Sequence, residues 1–183
     1  PIFALLPGSR LQEIEIMLPV FLEAAKQKSN YQIAIAGLVQ HKHVYEKWRH
    51  KLSVDCHIIY NNTYSLLQIA ELALVTSGTA TLETGLFGVP QIVCYKGNAL
   101  SYQIAKRLIK VKYISLVNLI MDKQIVPELI QDDMNSTRIL EEITKLEQVN
   151  YKSEMQTNYN FLHQKLYFPD TFERIAHELL KDI

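Results

Sequence analysis

Short apolar runs recur through the first half of the chain, at Ile2–Leu6, Gln32–Ala36, His57–Tyr60, Leu72–Val75 and Gln91–Cys94. Runs of this length and composition suit strands buried on both faces of a parallel sheet. Between them the period changes. Ile14, Met17, Leu18, Phe21, Leu22 and Ala25 recur at helical spacing and share one face. Pro19 falls inside that stretch and is expected to kink the helix or divide it in two. Val44–Leu52, Ser65–Ala70 and Thr79–Phe87 are the other candidate helices. Strands alternating with helices predict an α/β fold: a Rossmann-like, doubly wound parallel sheet.

The second half reads differently. Ile139, Leu140, Ile143 and Leu146 form one apolar stripe, and Met155, Tyr159, Leu162 and Leu166 form another. Pro169 breaks the chain, and Asp170 with Glu173 resembles a capping box opening a last helix. The stretch Tyr151–Leu166 is rich in Tyr, Asn and Gln and has little of its own to pack on. It is expected to lie against another domain or another subunit. The division predicted is a Rossmann-like domain over residues 1–133 and a helical carboxyl-terminal extension over 134–183. That extension packs on the domain or on a missing domain or partner subunit. Because Ile2–Leu6 is already a buried-type strand without a lead-in, a domain preceding Pro1 is also expected.

Composition narrows the partners. Of 183 residues, 48% are hydrophobic, enough for one sizeable core. Lys+Arg and Asp+Glu are 19 each, so bulk charge gives no argument for nucleic acid. Cys56 and Cys94 lie in strand-like stretches without metal-type spacing, and read as buried free thiols of a reducing compartment. The six histidines do not cluster as ligands, so no metal site is expected. His41 and His43 look like an exposed helix entry, and His57 leads a strand, either in the core or near a bound base. Trp48 reads as packing. No apolar run has the length of a membrane span.

Ligands of an open parallel sheet bind outside the carboxyl ends of its strands. Two loops follow such ends. In Pro7-Gly8-Ser9-Arg10, Gly8 allows a tight turn, and Arg10 can hold phosphate oxygens bidentately from the mouth of a helix. The alternative is a turn with a solvated arginine. In Thr76-Ser77-Gly78-Thr79-Ala80-Thr81-Leu82-Glu83, small residues at a helix start leave backbone N–H groups open to an anion. Glu83, one turn in, could reach the hydroxyls of a ribose. It could equally be an ordinary acid in a first helical turn. The Lys-bearing P-loop and the GxGxxG fingerprint are missing, which argues against an ATPase or a dinucleotide oxidoreductase.

In order, LLPGSR, TSGTATLE, GVPQIVCY, AKRLIKVKYISLVNLI and VPELIQ make the chain resemble the carboxyl-terminal half of lipid-A-disaccharide synthases, from Leu5 to Gln131. The resemblance implies a GT-B glycosyltransferase fold, with this chain as the donor-binding half. It implies an inverting transfer between UDP-2,3-diacylglucosamine and an acylated glucosamine phosphate acceptor, 2,3-diacylglucosamine 1-phosphate. The products would be lipid A disaccharide 1-phosphate and UDP, with no metal or other cofactor.

Carried onto this sequence, Gly8, Ser9 and Arg10 would meet the donor diphosphate. Ser77, Gly78, Thr79 and Ala80 would form the phosphate-facing helix start, and Glu83 would hold the ribose. Asn118 would serve near the reacting groups, for charge or substrate positioning, with Gln131 a weaker donor-binding candidate at the same cleft. Tyr60–Thr63 is placed by topology for the uracil. The catalytic base would belong to the amino-terminal domain, so this half alone would be inactive.

The implied setting is cytoplasmic, peripheral at the inner membrane of a Gram-negative bacterium. A second copy of the chain is a further implied partner. Tyr102, Lys106, Arg107, Lys110 and Lys112 read as a solvated basic face, with Arg107 as the exception for a lipid phosphate or anionic surface. Two other readings stay open: a UDP-N-acetylglucosamine 2-epimerase-like domain, and a non-enzymatic UDP-sugar-binding module.

Overall fold

A computed structural model describes residues 1–97 and 112–167. Six parallel strands form one sheet: β1 (Ile2–Leu6), β2 (Gln32–Gly37), β3 (Cys56–Tyr60), β4 (Ala70–Thr76), β5 (Gln91–Tyr95) and β6 (Glu128–Ile130). Their order is β3-β2-β1-β4-β5-β6. The chain therefore winds outward one way from β1, returns, and winds out the other way from β4. This is the doubly wound, Rossmann-like arrangement, whose switch point lies between β1 and β4. In register, Leu5 lies beside Leu74 and Leu6 beside Val75, so the two strands end together.

Strand alternation sorts the interior. Phe3, Leu5, Ile33, Ile35, Leu72 and Leu74 point into the larger core, beneath α1 (Leu11–Ala25), α2 (Lys42–Leu52) and α6 (Ser136–Leu146). Ala4, Leu6, Ala34, Ala73 and Val75 point to the opposite face, against Leu66 and Leu67 of α3 (Thr63–Ile69) and Ala80 at the start of α4 (Thr79–Leu86). Each large apolar side chain fully buried in this way contributes about 1.5–3 kcal/mol. The alanine-rich face accepts the short α3 at close range, since small side chains leave room for it.

Helix α1 is continuous despite Pro19, contrary to the expected break. Pro19 removes one backbone bond, but Leu18, Phe21 and Leu22 on either side of it are completely buried. Packing on that face outweighs the local loss. The opposite side of α1 ties to α2 through Glu15, which accepts from Lys47 Nζ at 3.0 Å and Trp48 Nε1 at 2.8 Å. These two bonds hold the Glu15 carboxyl below the usual carboxylate range. A carboxyl with a depressed folded pKa adds stability above its unfolded pKa, and that contribution is lost as pH falls through the folded value. Trp48 is the single tryptophan. Its fluorescence is expected to change in acid below the ordinary carboxylate range, and Glu15→Gln is expected to remove that transition.

The polar helix α7 (Val149–Leu166) finds packing partners within this chain. It packs on α4, on α6 and on a short helix α5 (Leu116–Met121), burying Met155, Tyr159 and Leu162. Tyr159 Oη donates to Val89 O and accepts from Gln91 Nε2, both at 3.1 Å. A Cβ added to Gly85 would stand 3.3 Å from the Tyr159 ring, so α4 and α7 meet closely there. The last helix expected after Pro169 lies outside the described residues, as do Tyr102, Lys106, Arg107 and Lys110.

Both cysteines are buried and unpaired with each other. Burial lifts the Cys56 thiol to about 11 and pushes Cys94 up further, so both stay protonated at neutral pH. Among the described residues no cluster of His, Cys, Asp or Glu could hold a metal ion, and no helix is long and apolar enough to cross a membrane.

Candidate functional site

A cleft of about 410 Å³ opens at the carboxyl ends of β1, β2 and β4. That volume lies within the range of small-molecule sites. Gly8, Ser9, Arg10, Ser77, Gly78, Thr79, Ala80 and Glu83 all line it. The two loops singled out from the sequence thus share one cavity, at the switch point of the sheet.

The β1 loop is shaped by Gly8. Its φ is +100°, in the left-handed region that favours glycine, and a Cβ there would sit 2.6 Å from Glu13 Oε2. Glu13 uses this space to fold back over the start of α1. Its carboxylate accepts from the Arg10 backbone N–H at 3.4 Å and from Arg10 Nη1 at 3.1 Å. This is the acidic half of a capping box. The Arg10 side chain is 83% exposed at the rim, so its contact with Glu13 is an easily exchanged surface pair.

The β4 loop offers a different kind of group. Thr79–Leu86 is a helix, so its first N–H groups have no intrahelical partner. Among the described residues, none bonds the N–H groups of Gly78, Thr79 or Ala80. Ser77 differs from these three. Its N–H donates to Cys94 O at 2.9 Å, and its hydroxyl donates to Ile114 O at 3.0 Å. Ser77 lines the cleft with both its donors spent. The hydroxyls of Thr81 and Thr84 fold back onto Gly78 O and Ala80 O inside α4. Glu83 lies further along the same helix, half-buried, with no hydrogen-bond partner for its carboxylate among the described residues.

Sequence reasoning assigned no ligand role to Glu13 or Thr76, and both line the cleft. Glu13 comes after an arginine instead of the Ser or Thr that usually announces a capping box. Thr76 ends the apolar run of β4, is only 5% exposed, and has a hydroxyl with no partner among the described residues. A buried hydroxyl left unspent beside a cavity is an opening for a polar ligand atom. Thr63 also lines the cleft, together with Gly37 and Leu38 from the end of β2. Tyr60, Asn61 and Asn62 are not among the lining residues, and neither is His57, which is exposed on β3.

Asn118 and Gln131 are not brought to this cleft. Asn118 is fully buried in α5. Its Oδ1 accepts from the N–H groups of Ile125 and Val126 at 2.8 and 3.0 Å. Its Nδ2 donates to Val126 O and Glu128 Oε1 at 2.9 and 2.8 Å. All four hydrogen-bonding positions of the amide are used within the chain. Gln131 comes directly after β6 with φ +56° and a buried Nε2 that has no partner among the described residues.

The arrangement combines a guanidinium, a helix start with open N–H groups, and a carboxylate around one cavity. The first two attract an anion, and the third accepts hydrogen bonds from hydroxyls. Comparison with known proteins relates the chain to others by fold and by sequence. Among solved structures, MurG of Acinetobacter baumannii aligns with TM-score 0.60 at 15% identity, over 100% of this chain and 50% of that one. A UDP-GlcNAc 2-epimerase from Neisseria meningitidis, bound to UDP-GlcNAc, aligns with TM-score 0.55 at 19% identity, over 98% of this chain and 43% of that one. At these identities the likeness is one of fold: a Rossmann-like sheet of the GT-B kind with helices at the carboxyl-terminal end.

Closer relatives are found by sequence. The lipid-A-disaccharide synthase of Syntrophus aciditrophicus is 39% identical over 180 residues, which take in 94% of this chain and 47% of that protein. That of Geobacter sulfurreducens is 32% identical over 182 residues, 96% of this chain and 47% of that protein. The chain thus spans about half the length of these curated relatives. A family model described as lipid-A-disaccharide synthetase matches residues 1–178, and the chain belongs to that family.

Proposed function

We propose that this chain is the donor-nucleotide-binding domain of an inverting glycosyltransferase. The enzyme would join UDP-2,3-diacylglucosamine to 2,3-diacylglucosamine 1-phosphate and release UDP. The observation that carries the reading is the shared cleft, in which Arg10, the start of α4 and Glu83 line one cavity. In this reading the diphosphate lies across the N–H groups of Gly78, Thr79 and Ala80, with the Arg10 guanidinium exchanging Glu13 for phosphate oxygens. The helix start contributes about 0.3–1 kcal/mol per charge. Glu83 accepts from the ribose hydroxyls, and Thr76 supplies a further donor. As the leaving UDP gains charge, these same groups stabilise it. A base must also deprotonate the acceptor hydroxyl. It belongs to the amino-terminal half of such an enzyme, so this chain binds the nucleotide and does not turn it over alone.

The chemistry needs no metal or other cofactor, because the guanidinium and backbone amides meet the diphosphate charge. The acceptor would be a lipid, and the working enzyme would meet it at the cytoplasmic surface of the inner membrane of a Gram-negative bacterium. The match of a synthetase family model along nearly the whole chain favours this reading over an epimerase.

Calorimetric titration with UDP tests the assignment. The unaltered chain is expected to bind. Glu83→Gln keeps one acceptor oxygen and replaces the other with a donor, so it should weaken binding by about 1–2 kcal/mol, roughly 5- to 30-fold. No binding to the unaltered chain, or equal affinity in the variant, would overturn the reading.

A further inference from the structure

The carboxylate of Glu128, at the start of β6, gathers four hydrogen bonds from one short stretch of chain. Oε2 accepts from the Ile114 N–H at 3.0 Å. Oε1 accepts from the Ser115 N–H at 3.0 Å, the Ser115 hydroxyl at 2.7 Å and Asn118 Nδ2 at 2.8 Å. Ser115 and Asn118 are completely buried. Asn118 fixes the other side of the same turn, through the N–H groups of Ile125 and Val126. The segment 114–118 is therefore held to β6 by a single anionic hub. Its outward connection is the Ile114 carbonyl, which accepts the Ser77 hydroxyl at 3.0 Å. Ser77 immediately precedes Gly78, Thr79 and Ala80.

We propose that Glu128 is a positioning residue for the nucleotide cleft, acting through the Ile114 carbonyl and the Ser77 hydroxyl to set the N–H groups at the start of α4. Asn118 acts in the same chain of contacts. Its side chain has no hydrogen-bonding capacity left for a substrate, and its amide donates to the Glu128 carboxylate. The inference rests on the cleft being the nucleotide site. Charge-assisted bonds to a carboxylate are shorter and about twice as strong as neutral ones. An anion with four donors can therefore hold a loop that a neutral amide cannot. In Glu128→Gln one terminal oxygen becomes an NH₂ group. It faces donors, whichever way the amide turns.

The test is a double-mutant cycle read by UDP binding, using the chain with Glu128→Gln, Ser77→Ala and both. Ser77→Ala removes only the final contact. Each single variant is expected to weaken UDP about fivefold. The double variant should be no weaker than the worse single one, because both changes cut the same line of contacts. Multiplied effects, about 25-fold in the double variant, would overturn the proposal. So would a Glu128→Gln chain with a lower melting temperature and unchanged UDP affinity, which marks a role in stability alone. If Glu128→Gln does not fold, unchanged affinity in Ser77→Ala still overturns it. Absence of UDP binding by the unaltered chain is a separate result: it removes the nucleotide reading, and the proposal with it.

Discussion

Truncating Tyr159 to alanine is expected to destabilise the domain by about 4 kcal/mol, the largest effect of any single change considered. The ring is completely buried against Gly85 of α4. Removing an aromatic ring from a core costs about 3–5 kcal/mol through lost burial and the cavity left behind. The hydroxyl adds to this, since it donates to Val89 O and accepts from Gln91 Nε2. Without it, Val89 O loses a donor in the interior, while Gln91 Nε2 keeps its bond to Thr81 O. For a chain of this size the loss corresponds to a melting temperature lower by roughly 8–16 °C. Tyr159→Phe keeps the ring and should lose about 1–2 kcal/mol. Thermal unfolding monitored by circular dichroism distinguishes the two variants. A loss below about 1 kcal/mol in Tyr159→Ala would mean that α7 is not anchored to α4 as described.

Arg10→Ala is expected to have the largest effect on binding, weakening UDP by about 2–3 kcal/mol, or roughly 30- to 150-fold, with little change in stability. The variant keeps the backbone N–H that Glu13 caps, and gives up only an ion pair in which the Arg10 side chain is itself 83% exposed. Exposed pairs of this kind contribute about 0–1 kcal/mol. Binding suffers twice over. Two charge-assisted bonds to phosphate are lost, and the Glu13 carboxylate is left facing the diphosphate without its counter-ion. Arg10→Lys restores the charge but not the planar fork, and should recover part of the affinity. Calorimetry measures both variants. UDP affinity unchanged in Arg10→Ala would take Arg10 out of the site.

Much of this molecule was legible in its residues. Ile2–Leu6 is a strand with the expected bounds, because a five-residue apolar run ending in Pro-Gly has few other uses. The two cleft loops were identifiable for the same kind of reason: in a parallel sheet, the loop leaving the carboxyl end of a buried strand lies on the ligand-binding side. β6 was not identifiable. It has three residues, begins with a glutamate, and is a strand only because β5 and the Glu128 network hold it. Helix α5, with six residues, is too short for a periodic signal.

The apolar stripe of Met155, Tyr159 and Leu162 in α7 was legible, but the surface that receives it was not, because the Tyr159 hydroxyl finds its partners only once the chain is folded. At Asn118, family likeness pointed to the residue but not to its surroundings. Neither spacing nor composition reveals that an amide is buried with every bond made.

The guanidinium, the helix start and the carboxylate are assigned to one ligand, and crystals of the chain grown with UDP test that assignment most directly. Pyrophosphate density is expected between Arg10 and the N–H groups of Gly78, Thr79 and Ala80, with the ribose hydroxyls on Glu83. UDP bound elsewhere on the molecule, or seated in this cleft with Arg10 still on Glu13 and Glu83 turned away from the ribose, would contradict it.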